Sequence, residues 1–265
     1  MDSDKILYEN RGHVARVTLN RPGVLNAFDE EMSFALDDAL ARARDDNDVW
    51  VVILNGSGPS FCAGQDLRAS VGKDASERVS ATAAIQRKGH LGWSAYNLYR
   101  FDKPLIAAVQ GNCVGGGLGL ALGCDVRIAS ADARFAAIFT KRGYVVDSGT
   151  SLLLPIIVGY PRAAELAFTS RFVDASEALA IGLVNRVVEP SKLEEAVDEL
   201  AAEMARQAPV AARLSKRALR RPIDRDMLAA HELELYEVSI NLKTDDMEEG
   251  RSAFLEKRAP RWKGV

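Results

Sequence analysis

Two segments of this chain hold residue types whose main chain could do chemistry. The first is Phe61-Cys62-Ala63-Gly64-Gln65-Asp66-Leu67, directly after an apolar run. Small residues let a ligand approach the backbone closely, so this segment can present amide donors; an ordinary strand-to-helix turn would use the same residues. The second is Gly115-Gly116-Gly117, between an apolar strand-like run and an apolar helix-like one. Three glycines at a helix start cost backbone entropy. Such a start offers free N–H groups and the positive end of the helix dipole. Those groups stabilise an anion, or an oxygen that becomes anionic during reaction. Nucleotide-binding readings fail on spacing. A G-x-G-x-x-G laid on Gly117 and Gly119 needs glycine where Leu122 stands, and no GK[ST] follows the triplet.

The elements that must position these segments read as alternating strands and helices. Residues 14–19, 49–56, 103–111 and 125–130 are β-branched or continuously apolar and predict strands. Asp29 is a suitable N-cap for a helix carrying Met32, Leu36 and Leu40 at helical spacing. A polar helical pattern runs from Ser70 to Arg100. SLLLPIIVG is helical with Pro155 inside, and PRAAELAFTS starts a helix with proline near its first position. From Ser191 the chain is helical, over about 191–207, 209–220 and 224–243, with a last helix through EEGRSAFLEKR. The expected organisation is an α/β core over 1–190 and a helical region over 191–265. The apolar stripes of that region would cover either a neighbouring subunit or the chain's own core.

Composition excludes several classes. The 265 residues carry 34 Lys+Arg against 37 Asp+Glu, so there is no basic excess to hold a nucleic acid. With 48% hydrophobic and 27% charged residues, the chain is not a disordered one. Cys62, Cys113 and Cys124 form no CxxC pair and imply no disulfide framework. The N-terminal residues lack the apolar run of a signal peptide, so a cytoplasmic protein is expected. Leu105 to Cys124 is 20 residues without a charge, the length of a membrane span. Its six glycines, with Gln110 and Asn112, predict a buried strand, a turn and a buried helix instead, and no membrane contact. His13, His90 and His231 are in no ligand spacing, so no metal is expected.

LNRPGVLNAF, FCAGQDL, KPLIAAVQGNCVGGGLGLALGCDVRIAS and RFAAIFTKRGYVVDSGTSLLLPIIVG resemble, in order and spacing, the crotonase (enoyl-CoA hydratase/isomerase) superfamily. The resemblance continues through ASEALAIGLVNRVVEP to AFLEKRAPRWKG. It implies an α/β, crotonase-like spiral of repeated β-β-α units with a C-terminal helical region, assembled as a homotrimer or a dimer of trimers. It implies an acyl-CoA thioester partner, with coenzyme A part of the substrate and no separate cofactor. It places the two oxyanion N–H groups on Ala63 and Gly116, and CoA along Ala63, Gly64, Gln65 and Asp66. Removing an α-proton puts charge on the thioester oxygen, and one such donor is worth about 2.7–4 kcal/mol.

Hydratases of this superfamily carry one glutamate two residues after the glycine triplet and another four after the RF of the next strand. Here those positions are Gly119 and Phe139. Asp147, in GYVVDSGTSLLLP, resembles the aspartate of the dienoyl-CoA and ring-epoxide phenylacetyl-CoA isomerase branches. One carboxylate suffices to take a proton from one carbon and return it to another. A free aspartate, near pKa 3.9, is a weak base, and burial among Val145, Val146 and Phe139 would raise it. The competing role for Asp147 is N-cap of the helix beginning near Ser148. The expected function is an acyl-CoA isomerase. The alternatives are an enoyl-CoA hydratase (a lyase) of fatty acid degradation and a non-catalytic acyl-CoA binding protein. Phe139, Tyr144 and Trp93 are candidates for the acyl pocket, Arg21 and Lys257 for the CoA phosphates, and Asp66 and Asp125 for loop caps or braces.

Overall fold

The computed structural model describes residues 4–68 and 90–263. The chain opens with an antiparallel pair, β1 (Ile6–Arg11) and β2 (Val14–Leu19), then α1 (Glu30–Asp45) and β3 (Val51–Gly56). Helix α2 (Leu91–Arg100) leads to β4 (Leu105–Val109), β5 (Asn112–Val114), α3 (Gly116–Gly123), β6 (Val126–Ser130) and β7 (Arg134–Ala136). Next come α4 (Thr150–Val158), α5 (Tyr160–Thr169), β8 (Val173–Asp174), α6 (Ala175–Ala180) and β9 (Arg186–Val188). Three helices follow: α7 (Leu193–Ala205), α8 (Pro209–Asn241) and α9 (Asp245–Leu255).

One sheet has the order β1-β2-β3-β4-β6-β9, parallel from β2 onward, and a second has the order β5-β7-β8. The continuous apolar run of β3 follows from cover on both faces. Val52 and Leu54 enter the main core, while Val51 and Ile53 meet Leu193, Val197 and Ala201 of α7. The uncharged stretch 105–124 is β4, a turn, β5 and the fully buried α3. No helix among the described residues is long and apolar enough to cross a membrane.

The sequence pattern differs from the fold in a few places. β1 goes unread because its sole buried residue is Ile6, so it lacks an apolar face. Most of the polar pattern from Ser70 lies outside the described residues; its end is α2. Helix α8 runs unbroken where the pattern predicts two helices separated near Pro222. An internal proline costs about 3 kcal/mol, and contacts on both sides of it offset that cost. Before it, Lys216 Nζ reaches the Asp125 carboxylate and the Lys103 carbonyl at 2.7 Å each, and Arg220 reaches Asp125 at 2.7 Å. Beyond it, Met227, His231 and Glu234 are buried. This inner face therefore covers the chain's own core, while Leu214, Leu219 and Leu233 on α8 stay exposed.

Candidate active site

Three segments distant in sequence are laced together at one end of the main sheet. Leu25 and Asn26 both adopt left-handed backbone (φ 54° and 55°). This aims the Leu25 carbonyl at the Ala63 N–H, 2.9 Å away, and lets Asn26 Nδ2 donate to the carbonyls of Ser57 and Ser60 at 2.9 and 2.7 Å. Cys62 pairs in parallel with Cys113: its N–H donates to Asn112 O at 3.0 Å and its carbonyl accepts from Val114 N at 3.1 Å. A Cβ on Gly117 would lie 2.8 Å from Cys62 Cβ, so the third glycine is required by this close approach.

The Ala63 amide is therefore not an oxyanion donor, contrary to the expectation; it is engaged by Leu25. The loop's N–H without an acceptor lies two residues on. Phe28 N–H donates to the Gly64 carbonyl and Asp66 N–H donates to the Phe28 carbonyl, both at 2.8 Å. Extended backbone alternates its polar groups from side to side. With residues 64 and 66 turned to Phe28, the Gln65 N–H turns the other way. Gln65 lines a cavity of about 980 Å³ together with Gly115 and Gly116. The Gly116 N–H opens α3 and has no intrahelical partner. Neither the Gln65 nor the Gly116 N–H donates to an acceptor among the described residues. The loops meet at Gly64 (φ +86°), where a Cβ would lie 3.3 Å from Gly116 N.

Asp147 lines the same cavity. Ser148, held in left-handed backbone at φ 57°, donates its hydroxyl to Asp147 Oδ1 at 2.8 Å. A Cβ on Gly116 would lie 3.2 Å from that hydroxyl, so the carboxylate sits beside the α3 N-terminus. Burial, reinforced by the charge of Glu234 and opposed by the Ser148 hydrogen bond, pushes the Asp147 carboxyl up to about 7. Asp147 does not cap α4. That role belongs to Glu234, a buried residue of α8 that accepts from Gly149 N at 3.0 Å, Ser151 N at 3.3 Å and Ser151 Oγ. His231 Nδ1 lies 3.4 Å from the same carboxylate.

The missing glutamates have a physical account. A Cβ on Gly119 would overlap the Ser148 carbonyl oxygen and lie 2.8 Å from Ser148 Cβ. The Asp147–Ser148 turn occupies the space a longer residue would need. Gly119→Glu is accordingly expected to lose about 1–3 kcal/mol of stability by overpacking and to gain no hydration; urea melts and an assay with crotonyl-CoA check both. Phe139 is an apolar wall of the cavity, with Tyr144 beside it.

Three further expectations are corrected. Trp93 does not line the cavity. It stands edge-on to His231 (4.3 Å) and Tyr96 (6.1 Å), packing α2 onto α8. Arg21 is no free phosphate ligand: it pairs with Asp66 at 3.1 Å and Asp29 at 3.3 Å and donates to the Ala27 carbonyl. Asp66, so paired, braces the loop as its alternative reading expects and is not part of the cavity wall, and Asp125 likewise ties α8 to the core. Lys257 is exposed beyond α9 and lies outside the cavity wall. The thiols of Cys62 and Cys124 are pushed up to about 12 by burial, so neither is a nucleophile. His13 stacks on Trp50 and His90 caps α2.

Comparison with known proteins shows the family. The sequence profile of the enoyl-CoA hydratase/isomerase family matches residues 9–265. The chain is 38% identical to a short-chain-enoyl-CoA hydratase of Clostridium acetobutylicum, covering 97% of each chain. It is 37% identical to a carnitinyl-CoA dehydratase of Salmonella typhi, covering 99% of each. Its fold is similar to the solved structure of a carnitinyl-CoA dehydratase from Mycobacterium avium 104, with TM-score 0.89, 31% identity and coverage of 99% and 100%. With a match over nearly its whole length and a mixed α/β fold shared with solved members, the chain belongs to the enoyl-CoA hydratase/isomerase family.

Proposed function

We propose that this protein moves a proton within an acyl-CoA thioester, as an isomerase, with Asp147 as its acid/base. The observation that carries the reading is the Asp147 carboxylate in one cavity with the unpartnered Gly116 and Gln65 amides, where the two positions that carry glutamate in hydratases are Gly119 and Phe139. Of the other carboxylates lining that cavity, Asp29 and Glu31 are paired with Lys5. The thioester carbonyl accepts from the Gln65 and Gly116 N–H groups. Asp147 takes a proton from the α-carbon, the electron pair moves into the carbonyl, and the enolate oxygen is held by the two amides. For a 3-enoyl thioester the charge extends over the double bond. The protonated Asp147 then returns its proton to the γ-carbon, giving the 2-enoyl isomer with no net gain or loss of atoms. A carboxyl near pKa 7 is suited to both halves of this transfer at neutral pH.

Hydration of an enoyl-CoA is the second reading, favoured by the hydratase and dehydratase names of the relatives. The two are separated by incubating 3-enoyl-CoA, crotonyl-CoA and butyryl-CoA with the enzyme in deuterated water. Conversion of 3-enoyl to 2-enoyl thioester with any solvent deuterium at the γ-carbon, exchange at the α-carbon of butyryl-CoA, and little hydration, is the expected result. Efficient hydration of crotonyl-CoA would favour the second reading. Binding with neither conversion nor exchange on any thioester would leave a carrier protein.

A further inference from the structure

Arg142 closes the short helical turn Thr140–Arg142 and lines the cavity. Lys5 lines it as well, but pairs with Asp29 at 2.8 Å and Glu31 at 2.5 Å. Arg142 has no such partner: no carboxylate, carbonyl or hydroxyl among the described residues accepts from its guanidinium. Its ring contact is Phe254 of α9, 4.1 Å from the guanidinium carbon. A ring face attracts the cation but satisfies none of its five N–H donors in the way an oxygen does. Phe139, Phe172, Val238 and Leu242 line the same cavity. The backbone beneath is fixed. Gly250 of α9 approaches so closely that a Cβ would lie 2.6 Å from the Arg142 carbonyl carbon. Burial lowers the Arg142 pKa with no acidic group opposing it. A partly buried guanidinium without a counter-charge is costly unless a ligand supplies one.

We infer that Arg142 receives an anionic oxygen group carried by the thioester ligand, either a second carboxylate on the acyl chain or a phosphate of CoA. This rests on reading the cavity as an acyl-CoA site. Dissociation constants for butyryl-CoA, glutaryl-CoA and butyryl-pantetheine are measured by calorimetry on the wild type, Arg142→Met and Arg142→Lys, with thermal melts confirming folding. An acyl carboxylate partner predicts a loss of roughly 10- to 100-fold for glutaryl-CoA with Arg142→Met, and a small one for butyryl-CoA. A phosphate partner predicts equal losses for both CoA esters and none for butyryl-pantetheine. In either case Arg142→Lys recovers part of the affinity. Equal loss on all three ligands, or none on any, overturns the inference. Failure of the wild type to bind any of them would instead overturn the acyl-CoA reading itself.

Discussion

Asp147→Asn is expected to cut turnover by about 10²- to 10⁴-fold, the usual worth of a positioned acid/base group, while CoA-ester affinity stays within a few-fold. The substituted amide would keep the volume and could still accept from the Ser148 hydroxyl, so the loss would report proton transfer rather than collapse of the turn. In the wild type, kcat/KM should rise with pH through about 7, as the carboxyl ionises. The same group sets a stability trend of opposite sense. Between about pH 4, where an unfolded aspartate ionises, and about pH 7, the folded state holds a proton that the unfolded state has released. Wild-type stability therefore falls across that window. Asp147→Asn escapes this cost, so its melting temperature should exceed the wild type's by a margin that opens between pH 4 and 7 and then stays constant. A fully active variant would show that Asp147 is not the base, and one no more stable at pH 8 would show that its charge is not disfavoured.

Glu234 carries the second large effect. Glu234→Ala leaves the Gly149 and Ser151 N–H groups without their acceptor, and each buried orphan costs about 1–3 kcal/mol. A drop in unfolding free energy of about 2–4 kcal/mol and a strong fall in turnover are expected, since the Asp147–Ser148 turn depends on that anchor. Glu234→Gln separates anchoring from charge. Its side-chain oxygen still accepts, so most of the stability should return, but the negative charge that helps raise Asp147 is gone. The rising limb of kcat/KM should then move to lower pH. Urea melts together with pH–rate profiles test both; an unmoved limb in Glu234→Gln would limit Glu234 to a cap.

These effects turn on contacts that the sequence reveals unevenly. The glycine triplet points to a helix start with a free amide, because three glycines in a row at that place have a clear backbone cost. Gly116 stands where that reasoning puts it. The free amide of the other loop lies two residues beyond Ala63 because its direction is set by Phe28, remote in sequence, which holds the residues on either side of Gln65. Local spacing does not encode that. Asp147 is legible as a carboxylate, but its release from capping is not, since the cap comes from Glu234 on a helix 85 residues away. The fold follows the same division. The β3 and β4 runs announce themselves by continuous apolarity, whereas β1 has no buried face and α8 passes Pro222 on the strength of tertiary ion pairs.

The Phe28–Gln65 pairing has a consequence for how such a site is found and how it diverges. The group it presents belongs to the peptide bond, so the residue name at 65 is free to drift, and an alanine scan would pass over the position without a signal. Only chemistry on the linkage itself, such as an amide-to-ester replacement by semisynthesis, would register its contribution. Two catalysts could thus share this grip on a carbonyl while having no side chain in common at the point of contact.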